Sequence, residues 1–524
     1  MRGQRRVSQV SSIQAPTGGI NDLDPLATMG PEFCITMNNW VPGTGALSSR
    51  EGYSEWVTGL PGTVDTLLPF YRQDGSQSLY AATNSGIYDA TLSTAMPINV
   101  KPITYGNVSF TQYSNVAGQY LVVCNGVDPA ILYNGTTWKD FTNVTTPTNP
   151  GEISGVDPST LSGVHSYKGR LWFIQEESLT AWYLGADSVG GVAKPFYFGS
   201  VFNRGGYLAY LSTWSFDSGS GLDDKFVVQT SAGEVAIYTG NDPSDANSWA
   251  LEAVFFVSSP VGHNPSVDMG GDVILLTRAG LAPLSTMVKG TLNTAMSEAV
   301  ISRRISRTIN ALVNSASFQN DWEIHNVPLL QSLVVMVPAT SERPAAQYIM
   351  NTLTGAWGKL DMPAHSGGIY NKKFYFGGTD GKIYSYGGQY DGVKLDGSGG
   401  LPVECSFMTA YNYFGDPTTL KHYKMVRPIF QSNKLPAYLA QINVDYAITA
   451  LAGNPPSNPI DTDAPLWGLA IWDAAFWSSQ ATVYRPWVGV VGMGFCAALL
   501  FKVSVTDPTY FTACEYVYEP GAAV

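Results

Sequence analysis

Charge is scarce in this chain. Asp, Glu, Lys and Arg make up 13% of its 524 residues, about half the usual ~25%. A disordered chain or a long solvated helix needs far more, so both are excluded. Cysteine is sparse and odd in number: Cys34, Cys124, Cys405, Cys496 and Cys514 include no C-x-x-C pair. That argues against a disulfide framework or a zinc ribbon, and reduced, buried thiols are expected. The five histidines, His165, His263, His325, His365 and His422, lie at least 40 residues apart. With no H-E-x-x-H or H-x-H, a metal centre would need wholly nonlocal ligands. Long apolar runs are missing too. The longest, Trp487 to Phe501, has 15 residues and three glycines, short of the ~20 a spanning helix needs. It reads as one buried strand or a pair. The start, MRGQRRVSQVSS, is basic with no apolar stretch behind it, so no signal peptide is expected and the chain reads as soluble and made in the cytoplasm.

Catalytic words are absent as well. There is no G-x-S-x-G. Gly377 to Lys382 (GGTDGK) has the wrong glycine spacing for a phosphate-binding loop, and Ile383 stands where Ser or Thr would hold magnesium. It reads as a hairpin turn. Carboxylate neighbours such as Asp223-Asp224 are ordinary among 41 acidic residues, since a glycosidase pair is defined in space. Only Gly135-Thr136-Thr137-Trp138 echoes the end of a sialidase box. No enzyme, cofactor or metal is expected. With 29 basic residues against 41 acidic ones, the net charge is −12, which disfavours tight nucleic-acid binding.

Turn formers and aromatics are abundant: Gly 54, Pro 32, and 12% Phe, Trp and Tyr. This is the composition of a large, turn-rich all-β protein. A pattern recurs in which a short apolar run, a Gly/Asn/Asp turn and a second short run ending in an aromatic follow one another. Leu79-Tyr80-Ala81-Ala82 leads to Ile87-Tyr88, and Tyr120-Leu121-Val122-Val123 leads to Ile131-Leu132-Tyr133. Leu171-Trp172-Phe173-Ile174 leads to Trp182-Tyr183, and Phe226-Val227-Val228 leads to Ile237-Tyr238. Similar hairpins follow at Val273–Leu281, Leu333–Met350 and Phe374–Tyr384. The second-strand aromatics at 88, 133, 183 and 238 are 45, 50 and 55 residues apart. Four-stranded propeller blades repeat at ~40–50 residues, and stacked blades bury both faces of such hairpins. Six or seven blades are therefore expected over 62–390, with a two-sheet sandwich as the alternative.

One segment departs from the β pattern. From Ser297 to Asn314, Ile301, Ile305, Ile309 and Leu312 follow helical spacing and predict an amphipathic helix, inserted near 290–315. Arg303, Arg304 and Arg307 fall on its other faces. They read either as a solvated face or as a contact with a neighbouring subunit or passing nucleic acid. Gly392 to Gly400 (GVKLDGSGG) reads as a flexible linker. Beyond it, strand-like stretches such as Ala440 to Tyr446 and tryptophans 467, 472, 477 and 487 predict a second β domain over 391–524. The tryptophans read as core and interface mass, with a sugar-stacking platform as the alternative.

Several words, in order along the chain, resemble those of the tail nozzle (tail tubular, head-to-tail) proteins of short-tailed bacteriophages. They are Ala15-Pro16-Thr17-Gly18-Gly19-Ile20-Asn21, Asn38-Asn39-Trp40, Arg50-Glu51-Gly52-Tyr53, Asn351-Thr352-Leu353-Thr354-Gly355-Ala356-Trp357, Tyr375-Phe376-Gly377 through Tyr384, and Tyr518-Glu519-Pro520-Gly521. The resemblance implies a non-enzymatic virion protein, assembled as a homo-oligomer of six copies in a ring below the portal and adaptor. Such a ring conducts and retains double-stranded DNA and carries tail fibres or spikes. It also implies a smaller, sandwich-like β platform built from both chain ends, residues 1–61 and 391–524, with the propeller outside it. Arg50-Glu51-Gly52 would then be a structural turn. An acidic lumen would keep DNA from sticking, although solubility alone also favours net charge. The competing functions are a receptor- or glycan-binding adhesin and, with no local motif behind it, a polysaccharide hydrolase.

Overall fold

The computed structural model describes residues 7–217, 222–289, 300–315, 321–341, 343–451, 453, 455 and 482–523. The chain is all-β, with short helices only at Leu284–Lys289 and Ser306–Ser315 among the described residues, besides three single-turn 3₁₀ segments. It divides into two compact units. Unit 1 comprises residues 1–55, 348–361 and 386–524; unit 2 comprises 56–347 and 362–385. Unlike the expected division, Tyr348–Asp361 belongs with the two chain ends.

Unit 2 is propeller-like. Its first blade contains Thr66–Tyr71, Gln77–Thr83, Gly86–Asp89 and Asn99–Lys101 in antiparallel order. The second runs from Ser109–Asn115 to Trp138–Asp140, the third from Leu161–Tyr167 to Lys194–Tyr197, and the fourth from Leu208–Asp217 to Trp249–Phe256. The fifth has three strands, Ser266–Asp268, Val273–Thr277 and Gly280–Pro283. These five are self-contained, not the six or seven expected. The hairpin spacing counts hairpins, whereas a blade is a finished sheet. Two further antiparallel groups, Glu323–Val327 with Ser332–Val337 and Ser366–Tyr370 with Lys373–Gly377 and Ile383–Tyr386, stand outside the five. First strands touch in succession from the second blade to the fourth, and again from the fifth through Glu323–Val327 and Ser366–Tyr370 back to Thr66–Tyr71.

The second strand of each blade explains the apolar runs. Successive side chains point to opposite faces of a sheet, and both faces here meet a neighbouring blade. Leu121 and Val123 pack with Leu68, Phe70 and Tyr80 of the first blade; Tyr120 and Val122 pack with Leu171 and Phe173 of the third. Trp172 and Ile174 turn the other way, onto Phe226, Val228, Tyr238 and Trp249. Val227 then faces Val273 and Leu275 of the fifth blade. Each fully buried side chain of this size contributes roughly 1.5–3 kcal/mol before chain entropy is set against it.

The predicted helix is shorter than expected. Arg303–Ile305 is a single 3₁₀ turn leading into Ser306–Ser315, and residues 297–299 lie outside the described residues. Its buried stripe is Ile305, Ile309 and Val313, at strict i, i+4 spacing, while Ile301 and Leu312 are half-buried. Tryptophans 467, 472 and 477 also lie outside the described residues, whereas Trp487 is partly exposed under the Arg427 guanidinium, 4.4 Å from its ring centre.

Unit 1 joins distant segments. One of its sheets pairs Tyr510–Ala523 with Gln9–Gln14, Leu47–Ser49 and Thr419–Ser432. A second set places Gly399–Thr409 between Phe33–Asn38 and Ala497–Val505, and Ala437–Val444 beyond the latter. Phe430 and Phe511 of the first meet Phe407 and Phe501 of the second, with ring centres 4.7 to 6.0 Å apart. The run from Trp487 to Phe501 is a pair of strands, Val488–Gly494 and the start of Ala497–Val505. The stretch read as a flexible linker is instead a hairpin. Tyr390–Val393 pairs with Gly399–Thr409 around a turn closed by Lys394 N to Ser398 O at 3.0 Å. Asp-Gly-Ser-Gly is turn chemistry as much as linker chemistry.

Candidate functional site

Two polar constellations stand out, one in each unit. In unit 1 the Arg50 side chain is 1% exposed. Its guanidinium donates to Asp391 Oδ1 and Oδ2 at 2.6 and 2.7 Å, its Nε donates to Asn39 Oδ1 at 2.8 Å, and Asp361 lies at 3.3 Å. Burial works against the charge, but Asp391 and Asp361 outweigh it and hold the guanidinium protonated. Asn39 Oδ1 also accepts from the Asp361 amide at 3.1 Å, and Asn38 Nδ2 donates to Asp361 Oδ2 at 2.9 Å.

The surrounding backbone is equally constrained. Gly19 has φ +76° and pairs with Trp357; a Cβ there would lie 2.4 Å from the Trp357 carbonyl oxygen. At Gly52 a Cβ would lie 2.1 Å from the Tyr390 carbonyl oxygen. Asn351 Oδ1 accepts from Leu353 N and Thr354 N at 2.9 and 3.3 Å, capping the turn that places buried Trp357. Asn38-Asn39 and Arg50 meet Asp361 and Asp391 at one polar knot, while Gly19 pairs with Trp357 about 340 residues away. The arrangement fixes strands.

In unit 2 a second cluster forms where first strands begin. Asp65 precedes Thr66–Tyr71, His365 precedes Ser366–Tyr370, and Glu323 opens its own strand. His365 Nε2 lies 3.8 Å from Asp65 Oδ1. Glu323 Oε2 accepts from Gly367 N at 2.9 Å and is 2.8 Å from His325 Nε2. Asn107 Nδ2 donates to Asp321 Oδ1 at 3.3 Å. Burial, with Asp321 and Glu323 as like-charged neighbours, pushes the Asp65 carboxyl up to about 7. Asp65 Oδ2, His365 Nδ1 and His263 Nε2 are buried with no hydrogen-bond partner.

Beside this cluster lies a cavity of about 430 Å³, lined among others by Tyr105, Ser109, Ser162, Tyr210, Ser231 and His263. Burial lowers the His263 imidazole to about 4, so it is neutral at physiological pH, and the negative field of Glu323 reaches it. The charged lining residues Glu176 and Arg278 are exposed. The cluster can hold a proton and accept hydrogen bonds. No group of three or more His, Cys, Asp or Glu among the described residues is arranged to hold a metal ion.

The residues singled out in the sequence lie elsewhere. Arg303 and Arg307 are exposed and Arg304 is half-buried, on the turn and helix of 303–315. The five cysteines are all buried with free thiols. Burial pushes Cys34, Cys124, Cys405 and Cys514 far above the ordinary thiol range. Gly377 to Lys382 is a hairpin turn closed by Gly378 N to Lys382 O at 2.9 Å. Sequence reasoning did not find Asp65, Asp321, Glu323 or His365. The usable signal was positional, since each stands at or just before a first strand.

No protein-family model matches the chain, and no curated protein matches it. Among solved structures, BBS1N in complex with ARL6DN is similar at 12% identity and a TM-score of 0.39, covering 64% of this chain and 97% of that one. The computationally designed Ika8 protein is similar at 11% identity and a TM-score of 0.34, over 63% of this chain and 99% of that one. Raptor of Chaetomium thermophilum is similar at 10% identity and a TM-score of 0.37, over 64% of this chain and 29% of that one.

Proposed function

We propose that this chain is a tail nozzle protein of the short-tailed-bacteriophage kind: a non-catalytic virion component forming a sixfold ring below the portal and adaptor. In this reading unit 1 is a sandwich-like platform, unit 2 is the propeller, and the ring conducts and retains double-stranded DNA and carries fibres or spikes. The reading rests on the resembling words and is supported most by where four of them come together. Gly19 pairs with Trp357, and Arg50 donates to Asn39, so words far apart in sequence meet in a unit that includes both chain ends. The −12 charge agrees with a lumen that repels the duplex.

Negative-stain imaging of the purified protein, alone and with the adaptor of its virion, tests this. Closed rings with a channel wide enough for duplex DNA are expected; monomers under both conditions would contradict the proposal. Arg303, Arg304 and Arg307 are assigned to a subunit contact within it. Reversing all three to glutamate should weaken the ring and leave monomer folding intact.

A further inference from the structure

Four turns in equivalent places converge on the cavity of unit 2. In the second to fifth blades the second strand is followed by a turn, at 125–130, 176–179, 231–233 and 278–279. Each turn contributes to the lining, through Asn125, Glu176, Ser231 and Arg278. First strands add to the wall where they begin, with Ser109 opening Ser109–Asn115 and Ser162 standing second in Leu161–Tyr167. Apolar packing joins the third blade to the fourth and the fourth to the fifth. The fourth blade therefore separates the turn that carries Glu176 from the turn that carries Arg278.

Glu176 and Arg278 are the charged side chains of this lining, His263 being neutral, and they are of opposite sign. Neither has a hydrogen-bond or ion-pair partner among the described residues. Charges elsewhere on the blades pair, as Lys101 does with Asp140, Arg170 with Asp242 and Lys225 with Glu252. Gly126 leaves the Glu176 carboxylate its room, because a Cβ at 126 would lie 2.8 Å from Oε2. The backbone amide of Arg278 donates to the Ser259 carbonyl at 2.9 Å, which holds its turn against the wall. Ser231 Oγ accepts from Tyr207 N at 3.1 Å and keeps its own proton to donate. The lining thus offers one anion, one cation and, from other residues, hydroxyls that both donate and accept.

We propose that this cavity binds a short peptide with both termini free, its carboxylate at Arg278, its ammonium at Glu176 and its amide groups against the serine hydroxyls. A guanidinium matches a carboxylate in a two-bond fork, and a carboxylate takes charge-assisted bonds from an ammonium. The N–H and C=O groups between the two termini need partners that donate and accept, which hydroxyls supply. A volume of about 430 Å³ lies within the ~300–1,000 Å³ of small-ligand sites. A purely anionic ligand would meet the Glu176 carboxylate, and a purely cationic one the Arg278 guanidinium. An uncharged sugar would leave both charges unused.

The site is tested by isothermal titration calorimetry on the full chain at pH 6.5, where a peptide amine is protonated, with triglycine as probe. N-acetyltriglycine lacks the ammonium and triglycinamide lacks the carboxylate. Triglycine should bind at least about tenfold more tightly than either, a difference easily resolved by titration. Glu176→Gln should weaken triglycine about tenfold and leave N-acetyltriglycine unchanged. Arg278→Gln should weaken triglycine about tenfold and leave triglycinamide unchanged. Both side chains are exposed on turns, so the variants should melt with the wild-type protein. If one fails to fold, the blocked peptides on the wild-type protein still give an answer. No saturable heat with triglycine, equal binding of the free and blocked peptides, or a variant that weakens free and blocked peptide alike would each overturn the proposal. Ring formation is read separately, so failure here does not bear on the nozzle reading.

Discussion

The two units solve the same problem, burying strands on both faces, in opposite ways. In unit 2 the strands of the five blades pair mostly with chain neighbours, and blades adhere through apolar clusters such as Trp172, Phe226 and Trp249. In unit 1 the pairings are nonlocal. Gln9–Gln14 lies on Tyr510–Ala523, and Gly19 lies beside Trp357. The polar knot at Arg50 ties its three segments. Local repetition lets a unit be assembled from interchangeable contacts, whereas a unit gathered from distant segments depends on a few specific ones.

That contrast can be broken from either side. The largest effect is expected for Arg50→Met, which leaves Asp391 and Asp361 without their partner. Losing one side of a buried ion pair costs about 3–5 kcal/mol, and differential scanning calorimetry should show one transition shifted down with the other retained. Trp172→Ala, at the junction of the third and fourth blades, should cost about 3–5 kcal/mol as a large-to-small core change. Its loss should fall on the transition that Arg50→Met leaves in place. Gly52→Ala forces a methyl against the Tyr390 carbonyl and should cost about 1–3 kcal/mol, again in unit 1, as read by urea denaturation.

A further effect concerns pH. The Asp65 carboxyl is raised from an ordinary 3.8 to about 7 in the folded protein. The folded state therefore holds a proton that the unfolded state has already released between these values. Stability must fall as pH rises from about 4 to about 7 through this group. Asp65→Asn should flatten that part of the profile and raise the melting temperature at pH 8. An unaltered profile would place the titrating group elsewhere.

The same contrast governs what the sequence disclosed. The blade hairpins were legible because strand, turn and partner strand lie within about ten to twenty residues, and Ile87-Tyr88, Ile131–Tyr133 and Ile237-Tyr238 all fall in strands. Finished blades were less legible, because hairpin spacing says nothing of which hairpins complete a separate sheet. The helix start was misplaced because Ile301 continues the apolar spacing of Ile305 and Ile309 without being helical. Residues 392–400 were read as a linker because Gly and Ser mark both linkers and turns. In unit 1 no periodicity announces the pairing of 9–14 with 510–523. Only the resemblance pointed to both chain ends folding together. Asp65, Asp321, Glu323 and His365 were invisible as a cluster, since its members come from strand starts up to about 300 residues apart.

Hydrogen exchange measured by mass spectrometry on Arg50→Met tests most directly the claim that one polar knot holds unit 1 while the blades hold themselves. Protection should be lost across Phe33–Asn38, Trp357–Leu360 and Tyr390–Val393, with Gly118–Cys124 and Arg170–Gln175 exchanging as in the unaltered protein. Equal loss in both groups of strands, or no loss in the first, would contradict it.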